Sequence, residues 1–311
     1  MRRRIYAVLA LATLLPVAVA CTRAETPTPE STPTPSPAQA EAGLREVTLE
    51  VDGRPFRLYV PNSYDEATPV PLVIGLHGYT SHSAELESYF KFAPHAAQRG
   101  FLYALPDGTT DQRGDQFWNA TNACCDLYGS GVDDSTYLSN LIERVKESYS
   151  VDADRVFLVG HSNGGYMSHR MACEHADQIT AIASLAGVIW ADPMRCRPSR
   201  PVSVLQIHGT ADETVHYRGG VFSGGRVYPG AEDTVAQWQA LNGCTGEPDT
   251  SAPPLDLDDA VREAETVVTV YAEGCRDGSR VVLWTMEGSY HVPKLNDAFA
   301  PAVLDFFESV A

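Results

Sequence analysis

The hydrophobic and polar positions alternate between two periods along most of the chain. From Glu46 to Val60, two alternating runs, EVTLEV and RPFRLYV, flank the turn dipeptide Asp52-Gly53, which predicts a β-hairpin. Continuous apolar runs follow at PLVIGLH (71–77), GFLYALP (100–106), RVFLVG (155–160), AIASLAGVIW (181–190), VSVLQIHG (202–209) and RVVLWTM (280–286). Runs of this length without alternation suit strands covered on both faces. Helical patterns stand between them, near 84–99, 133–148, from Asn163, 231–241 and 297–310. Strands alternating with helices predict an α/β fold with a mostly parallel central sheet and helices on both faces. The stretch 245–266, rich in Asp, Glu and Pro, reads as a surface insertion.

The first 43 residues break this rhythm. Arg2-Arg3-Arg4 precede an apolar run from Ile5 to Ala20, too short for a spanning helix of about 20 residues; residues 1–20 read as a signal peptide. Ala18-Val19-Ala20 suits ordinary cleavage, and with Cys21 next it also resembles a bacterial lipobox, in which Cys21 would be lipidated. Residues 21–43 hold Thr, Pro, Glu, Ser and Ala with almost nothing apolar to bury, which predicts a disordered linker ahead of a catalytic domain over 44–311. The expected location is therefore extracellular or the cell envelope, with a lipid anchor as the membrane contact.

Composition narrows the partners. With a net charge of −17 over 311 residues, made three units more negative by loss of the leading arginines, the chain repels polyanions and has no basic cluster for nucleic acid. In an oxidising compartment the six cysteines beyond Cys21 predict disulfides. Local context pairs Cys173 with Cys196, which bracket one strand, and Cys244 with Cys275, which bracket the acidic excursion. Cys124 and Cys125 then remain for each other or as free thiols. The spacing does not resemble a zinc site, and DGTTDQRGD (107–115) and PLDLDD (254–259) lack an EF-hand's full ligand pattern, so neither a metal nor an organic cofactor is expected.

The sharpest chemical signal is Gly160-His161-Ser162-Asn163-Gly164-Gly165, a G-x-S-x-G pattern directly after a strand and before a helical pattern. That context puts Ser162 on a tight strand-to-helix turn, its hydroxyl exposed as a nucleophile. A serine needs a base, and in this arrangement the order is Ser, acid, His. Of the two histidines beyond Gly209, His291 follows strand 280–286 through a short loop and is the expected base; His216 is assigned a structural or substrate contact. Asp212 is the first choice of acid, just after strand 202–209, and Glu213 the second. The oxyanion donors expected are the backbone N–H groups of Asn163 and of Tyr79 in the loop after the early strand, each worth on the order of 3 kcal/mol. His77 reads as a packed histidine supporting that loop, and Asp133 and Asp134 as an N-cap signal.

The motifs LHGYTS (76–81), PDGT (106–109), FWNATNACCD (117–126), GHSNGG (160–165), IHGTAD (207–212), YRGG (217–220) and YH (290–291) together resemble the polyhydroxybutyrate depolymerase-like esterases, a group with feruloyl and acetylxylan esterases of carbohydrate esterase family 1. The resemblance spans about residues 44–310. It implies an α/β-hydrolase fold, the same Ser162, Asp212 and His291, and an ester substrate, possibly polymeric; apart from the resemblance, a monomer is expected. It also suggests that Trp118 and Asn119 line the pocket mouth, where Trp118 could stack on a ring; a loop pinned by a buried Trp118 is the competing reading. The chain departs from the group at Val215-His216-Tyr217, where Pro often replaces His, and in GSYH, where GGGH is usual, so substrate shape stays open. A peptidase or acyltransferase on the same triad and a non-catalytic binding lipoprotein are the alternatives.

Overall fold

The computed structural model describes residues 43–311; the expected signal peptide, the Cys21 lipidation site and nearly all of the linker lie outside the described residues. Thirteen strands and six α-helices follow in chain order: β1 (Leu44–Val51), β2 (Arg54–Pro61), β3 (Val70–Leu76), α1 (Ser83–Phe90), α2 (Ala93–Arg99), β4 (Leu102–Leu105), β5 (Thr109–Thr110), β6 (Gln116–Phe117), α3 (Asp134–Ser148), β7 (Val151–His161), α4 (Asn163–Glu174), β8 (Ala181–Leu185), β9 (Ser203–Gly209), β10 (Gly220–Phe222), β11 (Arg226–Tyr228), α5 (Ala231–Asn242), β12 (Thr266–Tyr271), β13 (Val281–Met286) and α6 (Phe299–Glu308).

Nine strands form one sheet in the order β1-β2-β4-β3-β7-β8-β9-β13-β12. The six from β4 to β13 run parallel, and β1, β2 and β12 add antiparallel edges. The apolar runs belong to the parallel strands because those strands are buried on both sides. Leu72, Ile74 and Leu76 of β3 join the cluster that holds Tyr137, Leu138 and Leu141 of α3, Met167 and Met171 of α4, and Trp238 of α5. Val73, pointing the other way, joins Leu86 and Phe90 of α1, Ala96 of α2 and Phe299, Val303 and Phe307 of α6. Each face thus carries three helices, the architecture of an α/β-hydrolase. The chain steps from β3 out to β4 and returns across β3 to β7, so the carboxyl ends of β3 and β7 flank a crevice where open α/β sheets bind ligands.

Three local features depart from the sequence reading. The single helix expected over 84–99 is two, because Lys91 turns left-handed (φ 58°) to cap α1 and Pro94, with no N–H to give, opens α2. Strand β12 was not among the expected elements; it pairs antiparallel with β13 at the sheet edge. The stretch 245–266 is an excursion stitched down at both ends of that strand, through Asp249 to Val270 and Leu255 to Thr266. Asp133 caps α3 by accepting the Thr136 N–H (3.1 Å), but Asp134 is no cap: it is fully buried and paired with Arg54 at 2.8 Å. All six cysteines are bonded, as Cys124–Cys125, Cys173–Cys196 and Cys244–Cys275.

Candidate active site

Ser162 lies between β7 and α4 with φ 52° and ψ −116°, a conformation that costs a non-glycine residue on the order of 1–3 kcal/mol. Two neighbours must be glycine for the turn to close: a Cβ on Gly160 would overlap the Gly164 carbonyl, and one on Gly164 would overlap the carbonyl of Leu76 in β3. The Ser162 N–H donates to Leu185 O (2.7 Å) in β8, and its carbonyl accepts from Tyr166 (3.0 Å). Sheet and helix thus hold the strained residue from both sides.

The Ser162 hydroxyl donates to His291 Nε2 at 2.9 Å, and His291 Nδ1–H donates to Asp212 Oδ2 at 2.8 Å. Asp212 Oδ1 accepts the N–H groups of Thr214 and Val215, both at 2.8 Å. Burial alone would raise the Asp212 pKa, but hydrogen bonds from His208 and His291 outweigh it and hold the carboxyl well below the usual carboxylate range. Glu213, the second choice of acid, is exposed one residue further along.

Two residues that the sequence did not single out hold the loop carrying His291. His161 Nε2–H donates to the His291 carbonyl (3.0 Å), and the Tyr89 hydroxyl of α1 donates to the Pro293 carbonyl (2.9 Å). The two rings meet edge to face at 5.4 Å. Burial, with the nearby His291, pushes the His161 pKa down to about 4, so this imidazole is neutral at pH 7 and its single N–H is committed to the carbonyl. His161 fills an x of G-x-S-x-G, so the pattern gives it no role, and its place in GHSNGG marks the family without telling what the ring does.

The loop after β3 passes close to Ser162: a Cβ on Gly78 would stand 3.2 Å from His161 Nδ1 and 3.6 Å from Ser162 Cβ. The Thr80 N–H donates to Gln116 O (2.9 Å), which fixes this loop beside Tyr79. His77 is buried; it donates from Nδ1 to Gly78 O (2.8 Å) and accepts the Gly108 N–H at Nε2 (2.9 Å). Asn163, at the start of α4, is also buried, its amide clamping both backbone groups of Trp118: Oδ1 accepts the N–H (2.7 Å) and Nδ2 donates to the carbonyl (2.9 Å).

Three expected pocket residues are elsewhere. Trp118 is fully buried, packs against His77 and donates its indole N–H to His77 O (3.1 Å), so the pinned-loop reading holds and the ring offers no face to a ligand. Asn119 spends its side-chain amide on Val132 O and its N–H on Asp134. His216 is exposed and lines a second cavity of about 990 Å³ with Thr210, Tyr217 and Asp212, which reaches the acid from the side away from Ser162 and His291, neither of which lines it. The cavity at Ser162 measures about 390 Å³ and is walled by Tyr79, Leu86, Tyr89, His161, His291 and Val292. Tyr79 hydrogen-bonds Asp111 through its hydroxyl (2.8 Å). Among the described residues, no group of three or more His, Cys, Asp or Glu side chains is disposed to hold a metal ion.

A doubly covered, mostly parallel sheet with a serine on a strained strand-to-helix turn, hydrogen-bonded to a histidine and through it to an aspartate, defines the class as α/β-hydrolase. The particular branch follows from comparison: the family described as "Putative esterase" matches residues 52–239, and the chain belongs to that esterase family. It is 32% identical over 239 residues to feruloyl esterase B of Piromyces equi, covering 74% of this chain and 41% of that protein. With feruloyl esterase D of Neurospora crassa it shares 24% identity over 274 residues, 82% of each chain. Among solved structures, the acetyl xylan esterase from Aspergillus awamori superposes with a TM-score of 0.58 at 18% identity, over 86% of this chain and 99% of that one. The chain spans less than half the length of its Piromyces relative.

Proposed function

We propose that this chain is an exported serine carboxylic ester hydrolase that releases feruloyl or acetyl groups from plant polysaccharide. The observation that carries the reading is the unbroken hydrogen-bonded line from Ser162 Oγ through His291 to Asp212. In the first half-reaction His291 Nε2 takes the hydroxyl proton as Ser162 Oγ attacks the ester carbonyl; Asp212, ionised at neutral pH, steadies the imidazolium through Nδ1–H. The carbonyl oxygen becomes an oxyanion. Asn163 N–H, in the first turn of α4 where such groups have no intrahelical acceptor, and Tyr79 N–H are its assigned donors. Collapse expels the alcohol, protonated by His291, and leaves an acyl-Ser162. Water, deprotonated by His291, then repeats the sequence and frees the acid.

The substrate class rests on two supports. The relatives carry the names feruloyl and acetylxylan esterase. The cavity at Ser162 is walled largely by aromatic and aliphatic groups, with two tyrosines and Leu86, and its size falls within the range of about 300–1,000 Å³ typical of small-molecule sites. Polyester substrates share the chemistry but lack the first support. Export is supported by the Arg-led apolar segment 5–20 and by three disulfides, which persist in oxidising compartments. Cys21 is the proposed lipid anchor point; Cys21→Ser would then move activity from the membrane fraction to the medium, and unchanged membrane association would remove that assignment.

A fluorophosphonate is expected to label Ser162 covalently, and Ser162→Ala to lower kcat for p-nitrophenyl acetate by on the order of 10⁴-fold or more. Turnover surviving in that variant would refute the mechanism. Ethyl ferulate and acetylxylan are expected to exceed a hydroxybutyrate oligomer in kcat/KM; the reverse order would keep the mechanism and overturn the substrate.

A further inference from the structure

Asp212 is also the end of a second, longer hydrogen-bonded chain that runs through the core away from the pocket. Trp238 of α5 donates its indole N–H to His169 Nδ1 (3.0 Å). His169 of α4 meets Gln206 Oε1 of β9 through Nε2 (3.0 Å). Gln206 Nε2 donates to Gly187 O (2.8 Å) and faces His208 Nδ1 at 3.3 Å. His208 Nε2 stands 2.7 Å from Val215 O and 3.3 Å from Asp212 Oδ2. All four side chains are fully buried. Two imidazoles and an amide under a sheet are costly to desolvate, and polar groups persist there when each is paired.

The polarity of this chain is fixed from both ends. Indole is a donor only, so His169 Nδ1 is an acceptor and its proton sits on Nε2. The Gly187 carbonyl is an acceptor only, so Gln206 turns its NH2 toward it and toward His208, leaving Oε1 for His169 Nε2–H. The two constraints agree. They make His208 Nδ1 an acceptor and place the one His208 proton on Nε2, between Val215 O and Asp212 Oδ2. The Val215 N–H in turn donates to Asp212 Oδ1.

We infer that His208 is a positioning residue for the catalytic acid: its Nε2–H, oriented by the Trp238-His169-Gln206 chain, fixes the 212–215 turn and the Asp212 oxygen that receives His291. The inference rests on the reading of Asp212 as the acid of the triad. A rotated or loosened carboxylate would leave His291 Nδ1–H misdirected, the kind of defect that falls on kcat rather than on substrate binding.

The test compares His208→Leu, His208→Gln and Trp238→Phe in the full chain. It follows kcat and KM for p-nitrophenyl acetate and the downfield proton resonance of His291 Nδ1–H, assigned by its loss in His291→Ala. His208→Leu is expected to lower kcat by about tenfold or more, with KM within about twofold, and to move the resonance. His208→Gln, whose amide N–H reaches the Nε2 position, is expected to recover most of kcat and the native resonance. Trp238→Phe removes the far donor together with part of a buried ring that does not touch Asp212; it is expected to shift the resonance in the same sense by less, and it decides the matter if His208→Leu does not fold. Leu and Gln variants of equal kcat, or a resonance unmoved in both His208→Leu and Trp238→Phe, would overturn the inference. The resonance is read without substrate, so turnover surviving in Ser162→Ala would discredit the functional reading while leaving this test standing.

Discussion

At the scale of single residues, the site shows how spacing and environment divide the information. Ser162, Asp212 and His291 were legible because each is tied to a strand end by a short motif, and the apolar runs of β7, β9 and β13 announce those ends. For Trp118 the sequence left two readings open, a pocket aromatic and a buried pin, since a loop tryptophan is placed by what packs over it, here His77 and the Asn163 clamp. His161, Tyr89 and His208 act through contacts with distant chain segments, and no local pattern encodes such contacts. The Asn163 amide suggests a direct check. Asn163→Ala would leave the buried N–H and carbonyl of Trp118 without partners and is expected to cost about 2–4 kcal/mol of stability, seen as a lower urea midpoint with unchanged slope. A midpoint within error of the parent would show that the clamp is replaceable by water.

Among the elements, legibility followed burial. Strands β3, β7, β9 and β13 are buried on both faces and stand out as apolar runs, whereas β12 is a half-exposed edge strand and β10 with β11 a three-residue hairpin pair whose Val221 and Val227 face solvent. The helix over 84–99 kept its apolar periodicity across a break that only Pro94 marked. Helix α4 and strand β3 come close enough that only a glycine fits between them, at Gly164, where the helix backbone reaches the Leu76 carbonyl. Gly164→Ala is expected to be more disruptive than the usual helical glycine-to-alanine change, which gains up to about 1 kcal/mol from propensity. Here the methyl meets backbone that cannot give, so α4 must lift and take Ser162 with it. The expected outcome is a loss of folded yield or, where folded, of fluorophosphonate labelling; a labelled, fully stable variant would mean that the helix shifts freely. Further along, Cys244–Cys275 ties the end of α5 to the loop before β13, far from the chemistry. Replacing both cysteines by alanine is expected to cost about 3–4 kcal/mol through release of the 31-residue separation, with kcat retained, as measured by denaturant melts and p-nitrophenyl acetate turnover.

For the molecule as a whole, two enclosed histidines, His169 in the core and His161 in the pocket wall, set how the fold responds to acid. Burial holds both His161 and His169 down to about 4, against about 6.5 for an unfolded histidine. Between these values the unfolded chain binds protons that the folded chain refuses, so stability rises with pH across that window and is lost as pH falls through it. Asp212 works the same way lower down: its depressed pKa contributes stability above the unfolded carboxylate value of about 3.9, and that contribution disappears as pH falls further. Net charge pulls in the opposite direction, because protonation relieves the self-repulsion of a chain at −17. The two are separable by substitution. The Tm of the parent is expected to fall by about 5 °C or more between pH 7 and pH 4.5. His169→Gln cannot titrate, so it would start from a lower Tm at pH 7, through loss of its core fit, and fall less steeply over the same range. A parent Tm that is flat or rises on acidification would show that charge relief dominates. Parallel slopes in parent and variant would show that His169 takes up its proton in the folded state as readily as in the unfolded one, contrary to the fixed Trp238-His169-Gln206 polarity.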